Sequence, residues 1–87
     1  MEVIVTKTFS KQFKKCPPHI QVMAKNVISS LDQAQSLKDL NNIKKLTGIN
    51  DFYRIRISNY RIGFKQESPN VILICIMERS QIYKAFP

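Results

Sequence analysis

Tryptophan is absent, histidine occurs once, and glycine and cysteine occur twice each among 87 residues. Each scarcity removes a class of function. With only Gly48 and Gly63 there is no glycine-rich loop to cradle phosphates through main-chain N–H groups. The one histidine, His19, follows Pro17-Pro18 with no Asp, Cys or second His nearby, which gives a metal site or a serine-type triad no basis. Cys16 and Cys75 are too few for a disulfide scaffold, and Cys75 sits in an apolar run where a thiol behaves as a small hydrophobe, so a reducing, cytoplasmic setting is expected. Long apolar runs are missing as well. The longest, Val71 to Met77, falls far short of the roughly 20 residues of a membrane span, and Met1 to Val5 is too short for a secretory h-region. Acids are scarce: 6 Asp and Glu face 14 Lys and Arg, for a formal charge of +8. Such an excess points to a polyanionic partner.

What is present suits a folded domain. The 44% hydrophobic content argues against disorder, and a chain this short buries only about 60–65% of its unfolded surface, which allows one domain spanning residues 1–87. Glu2 to Thr8 is rich in β-branched residues and reads as a strand. Thr8 or Ser10 then caps a short helix with Phe9 and Phe13 inward, which Cys16-Pro17-Pro18 stops. Pro17 or Pro18 opens a second helix, amphipathic through Ile20, Met23, Ala24, Val27, Ile28 and Leu31. Ser36 and Asp39 have capping-box spacing, which predicts a third short helix over Leu37, Leu40 and Ile43, or a continuation of the second. The segment Thr47-Gly48-Ile49-Asn50-Asp51 breaks the pattern and introduces a sheet.

Strict alternation then marks two half-buried strands, around Tyr53, Ile55 and Ile57 and around Tyr60, Ile62 and Phe64. A two-residue turn at Ser58-Asn59 sets Arg56 opposite Arg61 and Arg54 opposite Gly63. Val71 to Met77 is apolar throughout, as a strand covered on both faces would be, and Glu78 to Pro87 reads as a polar and aromatic tail. The expectation is an α+β domain: two or three N-terminal helices packed on a four-stranded, mainly antiparallel sheet.

The positive charge is divided by type. All four arginines, Arg54, Arg56, Arg61 and Arg79, lie in the second half of the chain. Lysine serves a solvated face well, whereas arginine offers a planar fork of donors that grips phosphate oxygens. Between Phe52 and Gln66 stand Arg54, Arg56, Arg61 and Lys65 with no acid among them. Like charges opposed on one sheet face repel, and a cluster held against that repulsion awaits an anion. Lys11, Lys14, Lys15, Lys25, Lys44 and Lys45 read as solvated surface rather than specific contacts, adding non-specific attraction to RNA.

The order Lys45-Leu46-Thr47-Gly48, Phe52-Tyr53-Arg54-Ile55-Arg56-Ile57, Asn59-Tyr60-Arg61-Ile62 and Glu78-Arg79-Ser80-Gln81-Ile82-Tyr83 resembles the RelE/ParE superfamily of bacterial toxins over nearly the whole chain. For the RelE branch the resemblance implies an endoribonuclease that cuts mRNA in the ribosomal A site through the RNA's own 2′-hydroxyl, without a metal or other cofactor. It implies a cognate antitoxin with an acidic segment, a ribosome carrying mRNA as target, and DNA contact only through the antitoxin. The ParE branch, whose members inhibit DNA gyrase, shares the fold, and a noncatalytic RNA-binding member is a third reading.

Carried over by position, the resemblance implies a site of Arg54, Arg56, Arg61, Arg79 and Tyr83, with Arg56, Arg61, Arg79 and Tyr83 as the catalytic set; Arg54 and, by their charge, Lys44, Lys45 and Lys65 are expected to bind RNA. Arg61 and Arg79 would hold the scissile phosphate, with Arg54 and Arg56 steering RNA and offsetting developing charge. Arginine is never deprotonated, so Arg56 cannot be a general base. Tyr83, its phenolate favoured by nearby cations, is the alternative. Glu78 reads rather as an ion-pair partner of Arg79, and Met77-Glu78 stand where relatives often carry a basic or imidazole group.

Overall fold

A computed structural model describes residues 1–46, 48 and 50–86. The elements run β1 (Glu2–Val5), α1 (Lys7–Lys14), α2 (Pro18–Gln33), a one-turn 3-10 helix (Leu37–Asp39), β2 (Ile43–Lys45), β3 (Phe52–Ile57), β4 (Tyr60–Glu67), β5 (Asn70–Glu78) and α3 (Arg79–Ala85). They form one mixed sheet in the order β1-β5-β4-β3-β2. β1 runs parallel to β5, and the other neighbours are antiparallel. The fold is α+β as expected, but the sheet has five strands rather than four. The additional strand is β2, whose Ile43 the three-residue spacing assigns to a helix.

The cause lies in the linker after α2. Ser36 and Asp39 do form a capping box, yet the helix it starts is a single 3-10 turn. A three-residue spacing such as Leu37, Leu40, Ile43 fits either one short turn or a longer helix, and Asn42, at φ 64°, turns the chain into β2 before a helix can propagate. Of the segment expected to introduce the sheet, Thr47 and Ile49 lie outside the described residues.

Other boundaries shift for clear local reasons. β1 ends at Val5 because Thr6, not Thr8 or Ser10, caps α1: its Oγ1 accepts from the Phe9 N–H at 3.2 Å and donates to the Leu73 carbonyl at 2.8 Å. One hydroxyl therefore starts the helix and pins it to β5. Pro18 takes the first turn of α2, where its missing N–H leaves no bond unmade. Phe9 and Phe13 stack with centroids 6.3 Å apart.

α1 and α2 cover one sheet face, over a core of Phe9, Ile20, Ala24 and Leu31 against Ile55, Ile57, Ile62, Phe64, Leu73 and Ile76. On the other face a smaller cluster joins Cys75 to Ile82 and Phe86, with Phe52, Ile74 and Met77 beside it. β5 serves both by alternation, Val71, Leu73 and Ile76 toward the first cluster and Cys75 and Met77 toward the second, with its register against β4 slipping between Gly63 and Phe64: Phe64 faces Leu73 while Gly63 faces Cys75, leaving Ile74 as the extra residue. The unbroken apolar run is thus covered on both faces, as its composition predicts. The second cover is α3, formed by the segment that reads as a tail. Ile82 and Phe86, four apart, are its inner stripe.

Both thiols are buried. Burial raises the Cys16 thiol, countering any lowering by Lys14 and Lys15, and pushes Cys75 up to about 11. Both behave as structural thiols rather than nucleophiles.

Candidate active site

The hairpin of β3 and β4 has the register its two-residue turn requires: Arg56 faces Arg61 and Arg54 faces Gly63. On the edge strand, Lys44 faces Arg54. Because alternate residues share a face, Lys44, Arg54, Arg56 and Arg61 all lie on the side of the sheet that α3 covers. α3 crosses that face with Arg79 and Tyr83 one turn apart, on the same stripe of the helix.

The groups meet there. The Arg54 guanidinium stacks 4.7 Å from the centroid of the Tyr83 ring, and that of Arg79 lies 5.9 Å from it. Arg79 Nε also donates to Tyr83 Oη across 3.5 Å. Arg54, Arg56, Arg61 and Tyr83 line an open depression of about 300 Å³, whose other wall is Asn42, Ile43 and Lys44. Arg61 is aimed by its own turn, since Nη1 donates to the Ser58 carbonyl at 3.0 Å and the Tyr60 carbonyl at 2.9 Å. One nitrogen anchors the fork and leaves the remaining donors for a ligand.

Charge here is uncompensated. Among the described residues the one ion pair is Lys65 with Glu67, at 2.9 Å. Partial burial, then the charges of Arg56, Arg79 and Arg54, lower the Arg61 guanidinium from its ordinary value. The same cations act oppositely on the phenol. The hydrogen bond from Arg79, followed by the charges of Arg79, Arg54 and Arg61, outweighs desolvation and lowers Tyr83 below the usual tyrosine value. Desolvation raises Tyr60, with smaller contributions from Cys16 and Glu78. An ultraviolet titration is therefore expected to show Tyr83 ionising before Tyr60, and Tyr83→Phe to abolish the early step; an early step that survives Tyr83→Phe would contradict this assignment.

The structure brings together Arg54, Arg56, Arg61, Arg79, Tyr83 and Lys44, and leaves two lysines apart. Lys45 faces Tyr53 and so shares the opposite side of the sheet. Lys65 shares the arginine face but pairs in register with Phe52, lies 5.6 Å over that ring and is tied to Glu67. Glu78 does not pair with Arg79 among the described residues. It stands in register with Tyr60, and both line a groove with Gln12 and Cys16 on the α1 side, so its carboxylate is turned away from the guanidinium cluster. Asn42, absent from the expected site residues, also stands at the depression, its carbonyl accepting from the Arg56 N–H at 3.0 Å.

The family model for the ParE toxin of the type II toxin–antitoxin system, parDE, matches residues 3–83. The chain is 40% identical over 88 residues to Toxin RelE3 of Methanocaldococcus jannaschii, covering 100% of both chains. A chain in the crystal structure of the RelB–RelE antitoxin–toxin complex from Methanococcus jannaschii superposes with a TM-score of 0.84 at 36% identity, over 97% of this chain and 99% of that one. The isolated E. coli RelE toxin superposes with a TM-score of 0.67 at 20% identity, over 95% of this chain and 90% of that one, a likeness of fold alone. With five strands, helices on both faces and a match across nearly its whole length, the chain belongs to the RelE/ParE family, the toxins of type II toxin–antitoxin systems.

Proposed function

We propose that this toxin is an endoribonuclease that cuts mRNA on the translating ribosome, with the RNA's own 2′-hydroxyl as nucleophile. One observation carries the reading: guanidiniums from β3, β4 and α3 converge on one phenol with no carboxylate ion-paired to them among the described residues. In the reaction the 2′-oxygen bonds to the adjacent phosphorus, the bond from phosphorus to the 5′-oxygen breaks, and a 2′,3′-cyclic phosphate and a 5′-hydroxyl remain. The pentacoordinate intermediate carries extra negative charge on its nonbridging oxygens. Arg61 and Arg56, fixed by the hairpin, and Arg79, on α3, meet that charge as it develops. Tyr83, shifted toward its phenolate, takes the 2′-hydroxyl proton, and water returns a proton to the leaving 5′-oxygen. Arg54 holds the Tyr83 ring and steers RNA with Lys44.

The biological setting follows from this reading. A toxin of this charge is restrained by a cognate antitoxin whose acidic segment covers the guanidiniums. Contact with DNA then belongs to the antitoxin, and the toxin acts in the cytoplasm, where ribosomes and messages are. The match to the ParE model favours one rival, inhibition of DNA gyrase. Adding the purified chain to translating ribosomes and mapping mRNA 5′ ends separates the two. Cuts confined to ribosome-occupied codons are the expected result. Intact message together with lost supercoiling by gyrase would transfer the assignment to gyrase.

A further inference from the structure

The row of residues that crosses the sheet through Arg56 continues onto the loop before β2. Arg61 faces Arg56, and the Arg56 N–H donates to the Asn42 carbonyl at 3.0 Å. Asn42 therefore stands in line with two guanidiniums, exposed, on the wall of the same depression. Its main-chain carbonyl makes that bond, so the side-chain amide is not needed for it.

The charged groups on that wall and floor are matched to phosphate first. Lys44, Arg54, Arg56 and Arg61 only donate and each carries a charge, which suits phosphate whatever the sequence and, among base edges, only the paired acceptors of guanine. Ile43 has no polar side-chain atom, and the Tyr83 ring stacks on any base with little preference. The Asn42 amide offers a neutral donor beside a neutral acceptor, the pairing that matches a base edge.

We propose that Asn42 is a specificity-determining residue, whose amide reads the edge of the RNA base next to the phosphate gripped by the arginines. The proposal rests on the nuclease reading. A rival explanation is conformational: Asn42 has a left-handed main chain, at φ 64°, and asparagine tolerates that region. Two substitutions separate the accounts. Asn42→Gly keeps the turn, since glycine adopts φ > 0 without a steric cost, and removes the amide. Asn42→Asp keeps the shape and replaces the donor by a second acceptor, which suits the paired N–H donors on the guanine edge and not the amino-plus-acceptor edge of adenine.

The test uses ribosomes translating a message that contains every codon, treated with the unaltered chain, Asn42→Gly or Asn42→Asp, each at the concentration giving equal total cleavage. Sequenced 5′ ends report the bases flanking each cut. We expect Asn42→Gly to flatten the base preference of the unaltered chain, and Asn42→Asp to raise the ratio of cuts beside guanine to cuts beside adenine by about fivefold or more. Matching base distributions in all three proteins, or a uniform one from the unaltered chain, would overturn the role of Asn42 and leave the nuclease standing. No cleavage by the unaltered chain would overturn both.

Discussion

Arg61→Ala is expected to lower mRNA cleavage by a factor on the order of 10²–10³, and to end growth arrest in cells making the toxin, without loss of stability. The activity loss follows from position. Arg61 sits where three guanidiniums share one sheet face, and its fork is aimed by two carbonyls of its own turn. A donor held in advance toward developing charge costs no reorganisation during reaction. The stability expectation has the opposite cause. Arg56, Arg79 and Arg54 all act against the Arg61 charge, and no carboxylate compensates it among the described residues. Removing it relieves repulsion and gives back what the two carbonyl bonds contributed, so thermal unfolding is expected to stay level or rise. This is the trade expected of a site organised for a ligand rather than for folding. Arg61→Lys keeps the charge but loses the planar fork, and is expected to fall between the two in rate. A fully toxic Arg61→Ala, or one that unfolds several degrees earlier, would refute the assignment.

The arginine face was legible in the sequence because its geometry depends on local rules. A two-residue turn and period-two alternation fix the hairpin register, so the opposition of Arg56 and Arg61 needs only counting. The double burial of β5 was likewise visible in its apolar run. Tertiary pairings were not. β1 joins β5 in parallel across most of the chain length, and nothing local encodes such a partner. β2 is three residues long, too short for alternation to show, and a genuine capping box just before it argued for helix. The bulge at Ile74 left no trace, because every residue around it is apolar. The site suffered in step with these omissions. Lys44 and Lys45 are neighbours in sequence, but only the strand they occupy reveals that they face opposite ways. Asn42 gained its place from the same strand. Arg79 and Tyr83 were identified by resemblance, yet how they reach the arginines depends on α3, whose polar residues concealed the two apolar positions, Ile82 and Phe86, that dock it.

That docking depends on an absent side chain. Gly63 lies opposite Arg54 in the register, on the face that α3 covers, and a Cβ built there would stand 2.8 Å from Cys75 Sγ and 2.9 Å from both Cδ1 and Cδ2 of Phe86. Neither neighbour can give while α3 stays docked, since Cys75 is buried in β5 and Phe86 is wedged edge-on against Phe52 at 5.8 Å. Gly63→Ala is therefore expected to destabilise by about 1–3 kcal/mol, the usual cost of overpacking, which for a chain of this size lowers the melting temperature by roughly 5–20 °C. The strain is relieved most easily by lifting Phe86, because α3 meets the sheet through few residues while β5 is held on both edges. Lifting α3 carries Tyr83 away from Arg54 and Arg79 away from the hairpin arginines. A variant with its sheet intact by circular dichroism is thus expected to cut mRNA roughly 10² times more slowly, in line with the loss of one preorganised group, while the Tyr83 ionisation moves back only in part, because the Arg79 hydrogen bond that chiefly lowers it lies within α3 and travels with it. Should Gly63→Ala keep the original cleavage rate and the original melting temperature, α3 would not be seated through this contact. Coupling of the two readouts is the decisive point: the packing of Phe86 on a bare main chain and the approach of Tyr83 to Arg54 one turn earlier depend on the same contact, so one substitution should lower melting temperature and cleavage together.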